Sequence, residues 1–342
     1  MYNYRIDKVK LIAALSVVSV HVTAFMVTDG LATTVNYYWY RYLFNFSVPF
    51  FFATTGYLIA GHNQRYLARY INKTLILYLV LSIFYLVVDG AMFTLTRMGL
   101  GNPFSVAASS YLRSKNWIDL LNGSFAQYHL WYLWALVIAL TLIYLGLQFK
   151  LNPATLLTLS TLVYLGSLYV ISRDRFTELL ANGGFPKAMF AITIGYWVGF
   201  KGQQHAFGIV GFFAFISLYT FLSLSSYAIF WSELLLLISI YCLMLFVNAS
   251  ESEASIWARL GKDSLSIYLL HPVFLVGYNY LVQLAPQLLI ENTWLRIITL
   301  FLVSLVGSML LYPIVNRYYI QPAEQLIARF TSSRGSQKHA KP

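Results

Sequence analysis

A chain of 342 residues that is 59% hydrophobic and only 10% charged, with a net charge of +11, is no ordinary soluble domain, where charged residues make up about 25%. The positive charge does not point to nucleic acid, because the basic residues fall in short connections and in the carboxyl-terminal tail, as the positive-inside rule expects. What remains is an all-α fold, a polytopic membrane bundle whose helices satisfy their own backbone polar groups.

Ten apolar segments are expected to span, near 9–27, 43–60, 74–93, 130–147, 154–171, 186–200, 206–224, 228–248, 264–284 and 293–315. The first has no small-residue cleavage site after it and reads as a retained anchor. Lys10 and His21 are eleven positions apart. At about 100° per residue they share a helix face, and at about 1.5 Å rise they lie roughly 16 Å apart along the axis. His21 sits roughly 18 Å into its segment by the same rise. A neutral imidazole at that depth suits a general base for a hydroxyl, and equally suits a histidine bonded to a carbonyl as packing glue. Lys10 is either an ordinary cytoplasmic anchor or a contact for an anionic donor, and Asp7, three residues before it, is positioned to pair with it.

Pro49 and Gly56 interrupt the second segment, which needs protein or cavity cover at membrane depth. Arg65, Arg69 and Lys73 follow it; Arg69 and Lys73 are four apart, a spacing for phosphate binding or for setting topology. Residues 94–129 form a long extracytoplasmic loop in which Tyr111, Arg113, Lys115, Trp117 and Asp119 make either a sugar-like surface or an interfacial aromatic belt. His129 and Trp131 open the fourth segment at its outer mouth. Glu233 is an acidic residue inside a segment, near the outer end of the eighth, and is a candidate to orient or charge-pair His21. The single cysteine, Cys242, forbids an intrachain disulfide. In the ninth segment His271 follows Tyr268 and precedes Pro272, which removes a backbone donor and frees a carbonyl.

His21, His129 and His271 are read at three different depths, so no metal site is expected. No P-loop, dinucleotide-binding glycine pattern or Gly-x-Ser-x-Gly elbow is present. An even number of spans puts both termini on one side. With that side cytoplasmic, fifteen Lys and Arg lie inside and eight outside (Arg41, Arg97, Arg113, Lys115, Arg173, Arg175, Lys187 and Arg296), a bias that favours this orientation. Residues 1–317 form one transmembrane domain, and 318–342 a short amphipathic end with a disordered basic tail.

The ordered motifs resemble the acyltransferase-3 family of integral membrane acyltransferases. Ile6-Asp7 with Lys10 and His21 is similar to the family's amino-terminal Arg-x10-His helix, with Lys10 in place of Arg. Val48-Pro49-Phe50-Phe51-Phe52 through Gly56-Tyr57-Leu58 resembles its second-helix signature, with Thr55 where Ser usually precedes Gly-Tyr. Tyr70-Ile71-Asn72-Lys73 resembles the basic stretch entering the third helix. His129-Leu130-Trp131-Tyr132-Leu133 and Tyr268-Leu269-Leu270-His271-Pro272 resemble its His-Leu-Trp-Phe-Leu and Tyr-Leu-His-Pro segments.

The resemblance implies a ten-helix core in a bacterial cell membrane and an acyl-CoA donor, acetyl-CoA, on the cytoplasmic side. It implies as acceptor a hydroxyl of a cell-surface polysaccharide or lipid-linked glycan on the far side, with His21 as the essential catalytic residue. No bound cofactor, metal or nucleic acid is expected. The catalytic candidates are His21, Lys10 and Glu233. Lys10, Arg69, Lys73 and Tyr57 are donor-binding candidates; His129, Trp131, His271 and Tyr268 are acceptor or cavity-lining candidates. Tyr57, Tyr268 or a helix-end dipole would stabilise the oxyanion. The competing reading is an exporter or transporter of a glycan or small solute on the same scaffold.

Overall fold

The structure is a computed structural model, and it describes residues 3–28, 34–173, 180, 183–224, 229–249 and 255–325. Among these the regular structure is helical throughout, with no strand. The helices are α1 (Tyr4–Thr28), α2 (Thr34–Phe44), α3 (Ser47–Ile59), α4 (Gln64–Gly99), α5 (Phe104–Arg113), α6 (Asp119–Asn122), α7 (Trp131–Gln148), α8 (Pro153–Ile171), α9 (Gly184–Lys201), α10 (Gly208–Leu224), α11 (Ile229–Asn248), α12 (Ile256–Gly261), α13 (Ser264–Leu284) and α14 (Thr293–Val315). Seven helical stretches among the described residues are long and apolar enough to cross a membrane. The chain is a multi-pass all-α membrane protein.

Side chains mark where the helices begin. Asn63, Asn152, Ser255 and Asn292 each accept a backbone N–H three residues on, satisfying one of the donors that a helix start leaves open. The bundle has two distinct ends. At the amino-terminal end, Asn3 Nδ2 donates to Val247 O at the close of α11 (2.7 Å) and Gln64 Nε2 donates to Leu147 O at the close of α7 (3.1 Å). A Cβ on Gly261 would lie 1.9 Å from Asp7 O, so α12 and α1 touch backbone to backbone there. Lys10, Arg65, Arg69 and Lys73 therefore share this end.

The tightest crossing is that of α3 with α9. A Cβ on Gly56 would stand 1.9 Å from Ile192 O, and one on Gly195 1.7 Å from Ala53 O. Without a hydrophobic force between helices in lipid, such close approach of small residues is what holds two of them together. Gly56 serves this contact and breaks nothing; α3 runs through it. Pro49 lies in the first turn of α3, where no intrahelical donor is needed. The interruption in this region falls instead at Asn45–Phe46, between α2 and α3.

Two further expectations change. The expected span 74–93 lies within a helix of 36 residues, roughly 54 Å long and longer than a bilayer core. The loop expected over 94–129 contains the end of α4, the helices α5 and α6, and a 3-10 turn at Tyr128–Leu130. Its amphipathic sequence hides a fold latched by Asp89 of α4. The Asp89 carboxylate accepts from Tyr111 Oη of α5 (3.1 Å) and Tyr280 Oη of α13 (3.0 Å), and pairs with Lys115 Nζ (3.4 Å). Burial, and then that carboxylate, push the Tyr111 hydroxyl well above its usual range, so it keeps the proton it donates. Of the expected tail, residues 318–325 continue the helix beyond α14 through a π-helical turn at Asn316–Ile320; residues 326–342, with Arg329, Arg334, Lys338 and Lys341, lie outside the described residues, as does Arg175.

Candidate functional site

The centre of the site starts with a missing donor. Pro272 has no N–H to give to Tyr268 O, four residues earlier in α13. His271 fills the vacancy: its Nδ1 donates to Tyr268 O (2.9 Å) and is within reach of Ile267 O (3.1 Å). A carbonyl can only accept, so the proton is on Nδ1 and the lone pair of the neutral ring is on Nε2. The next carbonyl, Leu269 O, accepts from Tyr85 Oη (2.6 Å) and from His129 Nε2 (3.1 Å). The same reasoning puts the lone pair of His129 on Nδ1. Tyr268 Oη completes the cluster by donating to His129 O (2.9 Å). His129 Nδ1 and His271 Nε2 are buried and have no hydrogen-bond partner among the described residues.

His21 stacks on His271. Its ring lies 5.1 Å from His271 and 4.9 Å from Tyr128, and His129 is 5.9 Å from His271. The expectation of three separate depths is thus corrected: the three imidazoles form one cluster. Depth along a segment says nothing of how segments are registered against each other. The Asp7–Gly261 contact sets α1 and α12 level. His21 is then fourteen residues beyond Asp7, about 21 Å along α1, while His271 is seven residues beyond Ser264, where α13 starts after the turn that follows Gly261. His129 lies at 1% exposure although it opens its segment, because Tyr85 of α4 (4.9 Å) and Tyr268 and His271 of α13 (both 5.9 Å) pack around its ring. Among the described residues no group of three or more His, Cys, Asp or Glu is arranged to hold a metal ion.

A cavity of about 480 Å³ opens in front of His21, within the range of small-molecule sites. It lies at the end of the bundle opposite Lys10, lined by residues from the start of α3, α9 and α11 and the end of α8. Trp131 and Tyr268, expected to line a cavity, do so. His129 and His271 do not; they are buried beside His21, away from the opening. Glu233 also lines it but makes no contact with His21. Its Oε2 pairs with Lys187 Nζ (3.1 Å) and accepts from Tyr164 Oη.

The expected donor-binding residues are elsewhere. Lys10 pairs with Asp7 (3.1 Å). Arg69 and Lys73 are exposed on α4, with Arg69 Nε donating to Arg65 O (3.3 Å). Tyr57 packs against Gly199 of α9 near the same end. Sequence reasoning missed Arg41, Asn45, Tyr128, Tyr164, Lys187 and Tyr219 of the cavity wall. One signal pointed to two of them: Arg41 and Lys187 belong to the cations that run against the positive-inside bias.

The model of a family described as an acyltransferase domain matches residues 3–313, nearly the whole of the described bundle. Neither a curated protein nor a solved structure matches the chain.

Proposed function

The chain belongs to the acyltransferase-3 family, and from that premise we propose that it moves an acetyl group from cytoplasmic acetyl-CoA to a hydroxyl of an extracytoplasmic polysaccharide or glycolipid, with His21 as general base or acyl relay. The observation that carries this reading is the position of His21. It stands between a polar, aromatic cavity at one end of the bundle and the basic residues Lys10, Arg69 and Lys73 at the other.

With the amino terminus cytoplasmic, the donor's phosphates meet Arg69 and Lys73, and Lys10 once it exchanges Asp7 for them. The pantetheine arm then reaches up the bundle toward His21, about 16 Å from Lys10 by helix rise. The acceptor enters from the cavity. His21 takes the proton of its hydroxyl, the oxygen attacks the thioester carbonyl, the C–O bond forms and the C–S bond breaks. The proton leaves on the sulfur of CoA. In the relay form the same ring nitrogen carries the acetyl group between two half-reactions. His271 holds the back of His21, and His129 the side of His271, with rings whose tautomers are fixed by backbone carbonyls. Burial in an apolar cluster keeps water from the thioester.

The test is the acetyl-ester content of the host's surface polysaccharide, by proton NMR, in a deletion strain complemented with wild type or His21→Ala. Esters that vanish on deletion and return only with wild type support the reading. Esters that persist while the amount of polymer falls would replace it with export.

A further inference from the structure

We propose that the wall of the cavity facing His21 is an acceptor subsite, in which Glu233, Lys187 and Asn45 hold neighbouring hydroxyls of a sugar ring so that one of them points at the imidazole. This deepens the acyltransferase reading and rests on it.

The wall is built and buried. Lys187 is 7% exposed and Tyr164 is fully buried. Both engage the same oxygen of Glu233, Oε2. Among the described residues the other oxygen, Oε1, has no hydrogen bond or ion pair. On the adjoining side Asn45 Nδ2 donates to Tyr219 Oη (2.5 Å), which leaves Asn45 Oδ1 as an acceptor. Lys187 has donors beyond the one it gives Glu233. All five residues line the cavity that His21 lines.

That inventory selects the ligand. An apolar group filling the cavity would strip Glu233 Oε1 of water and give nothing back, a costly desolvation. An anion would find Lys187 already paired with Glu233 (3.1 Å) and would have only Arg41 to meet, with the carboxylate beside it. A hydroxyl both donates and accepts: it gives its proton to Oε1 or Oδ1 and takes one from Lys187 Nζ. Two hydroxyls on adjacent carbons match an acceptor and a donor held side by side in one ion pair. Tyr128 and Trp131 line the same cavity, and aromatic side chains supply large apolar area against which the C–H side of a sugar ring can pack. Glu233 and Lys187 hold each other in place before the ligand arrives, so little ordering remains to be done on binding.

The experiment uses membranes carrying the full-length protein, labelled acetyl-CoA, and oligosaccharides from the host's surface polysaccharide with their esters removed by mild base. KM for each substrate is measured separately. Glu233→Gln, which replaces a charged acceptor by a neutral one, is expected to raise KM for the oligosaccharide by about tenfold, and Tyr164→Phe, which only frees the carboxylate that Tyr164 holds, by less, with KM for acetyl-CoA unchanged in both. Should Glu233→Gln leave Lys187 as an unpaired buried charge and lower the folded amount, Glu233→Gln with Lys187→Gln removes both charges at once and carries the same expectation. An unchanged oligosaccharide KM in well-folded variants overturns the subsite. So does a fall in kcat with both KM values intact, which would make Glu233 a group acting through His21. Failure of the wild type itself to transfer acetyl groups sinks the parent reading instead.

Discussion

At the scale of single residues, the arrangement turns on one absent hydrogen. Pro272 leaves Tyr268 O open, His271 Nδ1 takes it, and the His271 ring is thereby fixed under His21. Pro272→Ala restores the N–H, which competes for Tyr268 O and releases the imidazole. Proline inside a helix costs about 3 kcal/mol or more, so the variant is expected to melt at the same or a higher temperature in detergent. Acyl transfer is expected to fall, by up to about a hundredfold, because a small misplacement of a reacting group has effects of that size. Stability and activity thus move in opposite directions. Activity retained at the wild-type level would mean that the orientation of His271 does not matter. His21→Ala should abolish transfer while the amount of protein in the membrane stays the same, since His21 has no hydrogen bond among the described residues for the fold to lose.

At the scale of elements, the helices pack through glycines at particular contacts. Gly195→Ala places a Cβ 1.7 Å from Ala53 O, a backbone atom that can yield only if α3 and α9 move apart. Overpacking of this kind costs about 1–3 kcal/mol and occasionally more, so a clear drop in melting temperature is expected. Gly166→Ala in α8 is the control: nothing lies within 4 Å of its Cβ. Alanine's better helix propensity should leave it neutral or slightly stabilised. The latch at Asp89 is a second element-level contact. Asp89→Asn removes the charge that Lys115 pairs with and weakens the bonds from Tyr111 and Tyr280. Limited proteolysis should then cut between residues 100 and 127 faster than in wild type, with the rest of the bundle resistant. Segments 264–284 and 293–315 could be read from hydropathy alone, and α13 and α14 have those bounds. The region 94–129 could not: α5 and α6 are short and amphipathic, and their partner Asp89 is an acidic residue inside an apolar run. Nor could the meeting of His21, His129 and His271 be read, because periodicity fixes a face within one helix and never the register between two.

At the scale of the whole molecule, the proposed transfer across a bilayer requires the two ends of the bundle to face different compartments. The charges differ between those ends. Lys10, Arg65, Arg69 and Lys73 gather at the amino-terminal end, while Arg41 and Lys187 sit at the other, in the wall of the cavity. The cations that weaken the charge bias are therefore in part the ones that build the site. Sidedness can be measured directly, because Cys242 is the one cysteine in the chain and Cys242→Ala leaves a background without thiols. Trp117 is 70% exposed, beside the latched segment at the cavity end, and Arg69 is exposed at the amino-terminal end. In that background Trp117→Cys should react with a membrane-impermeant maleimide on intact cells. Arg69→Cys should react only after the membrane is opened. The reverse pattern would put the cavity in the cytoplasm and Lys10, Arg69 and Lys73 outside, so the donor's phosphates would not meet the residues proposed to hold them. Labelling of both positions on intact cells would mean that the long helix α4, which runs between the two ends, does not cross the bilayer, and transfer from one face to the other would have no path.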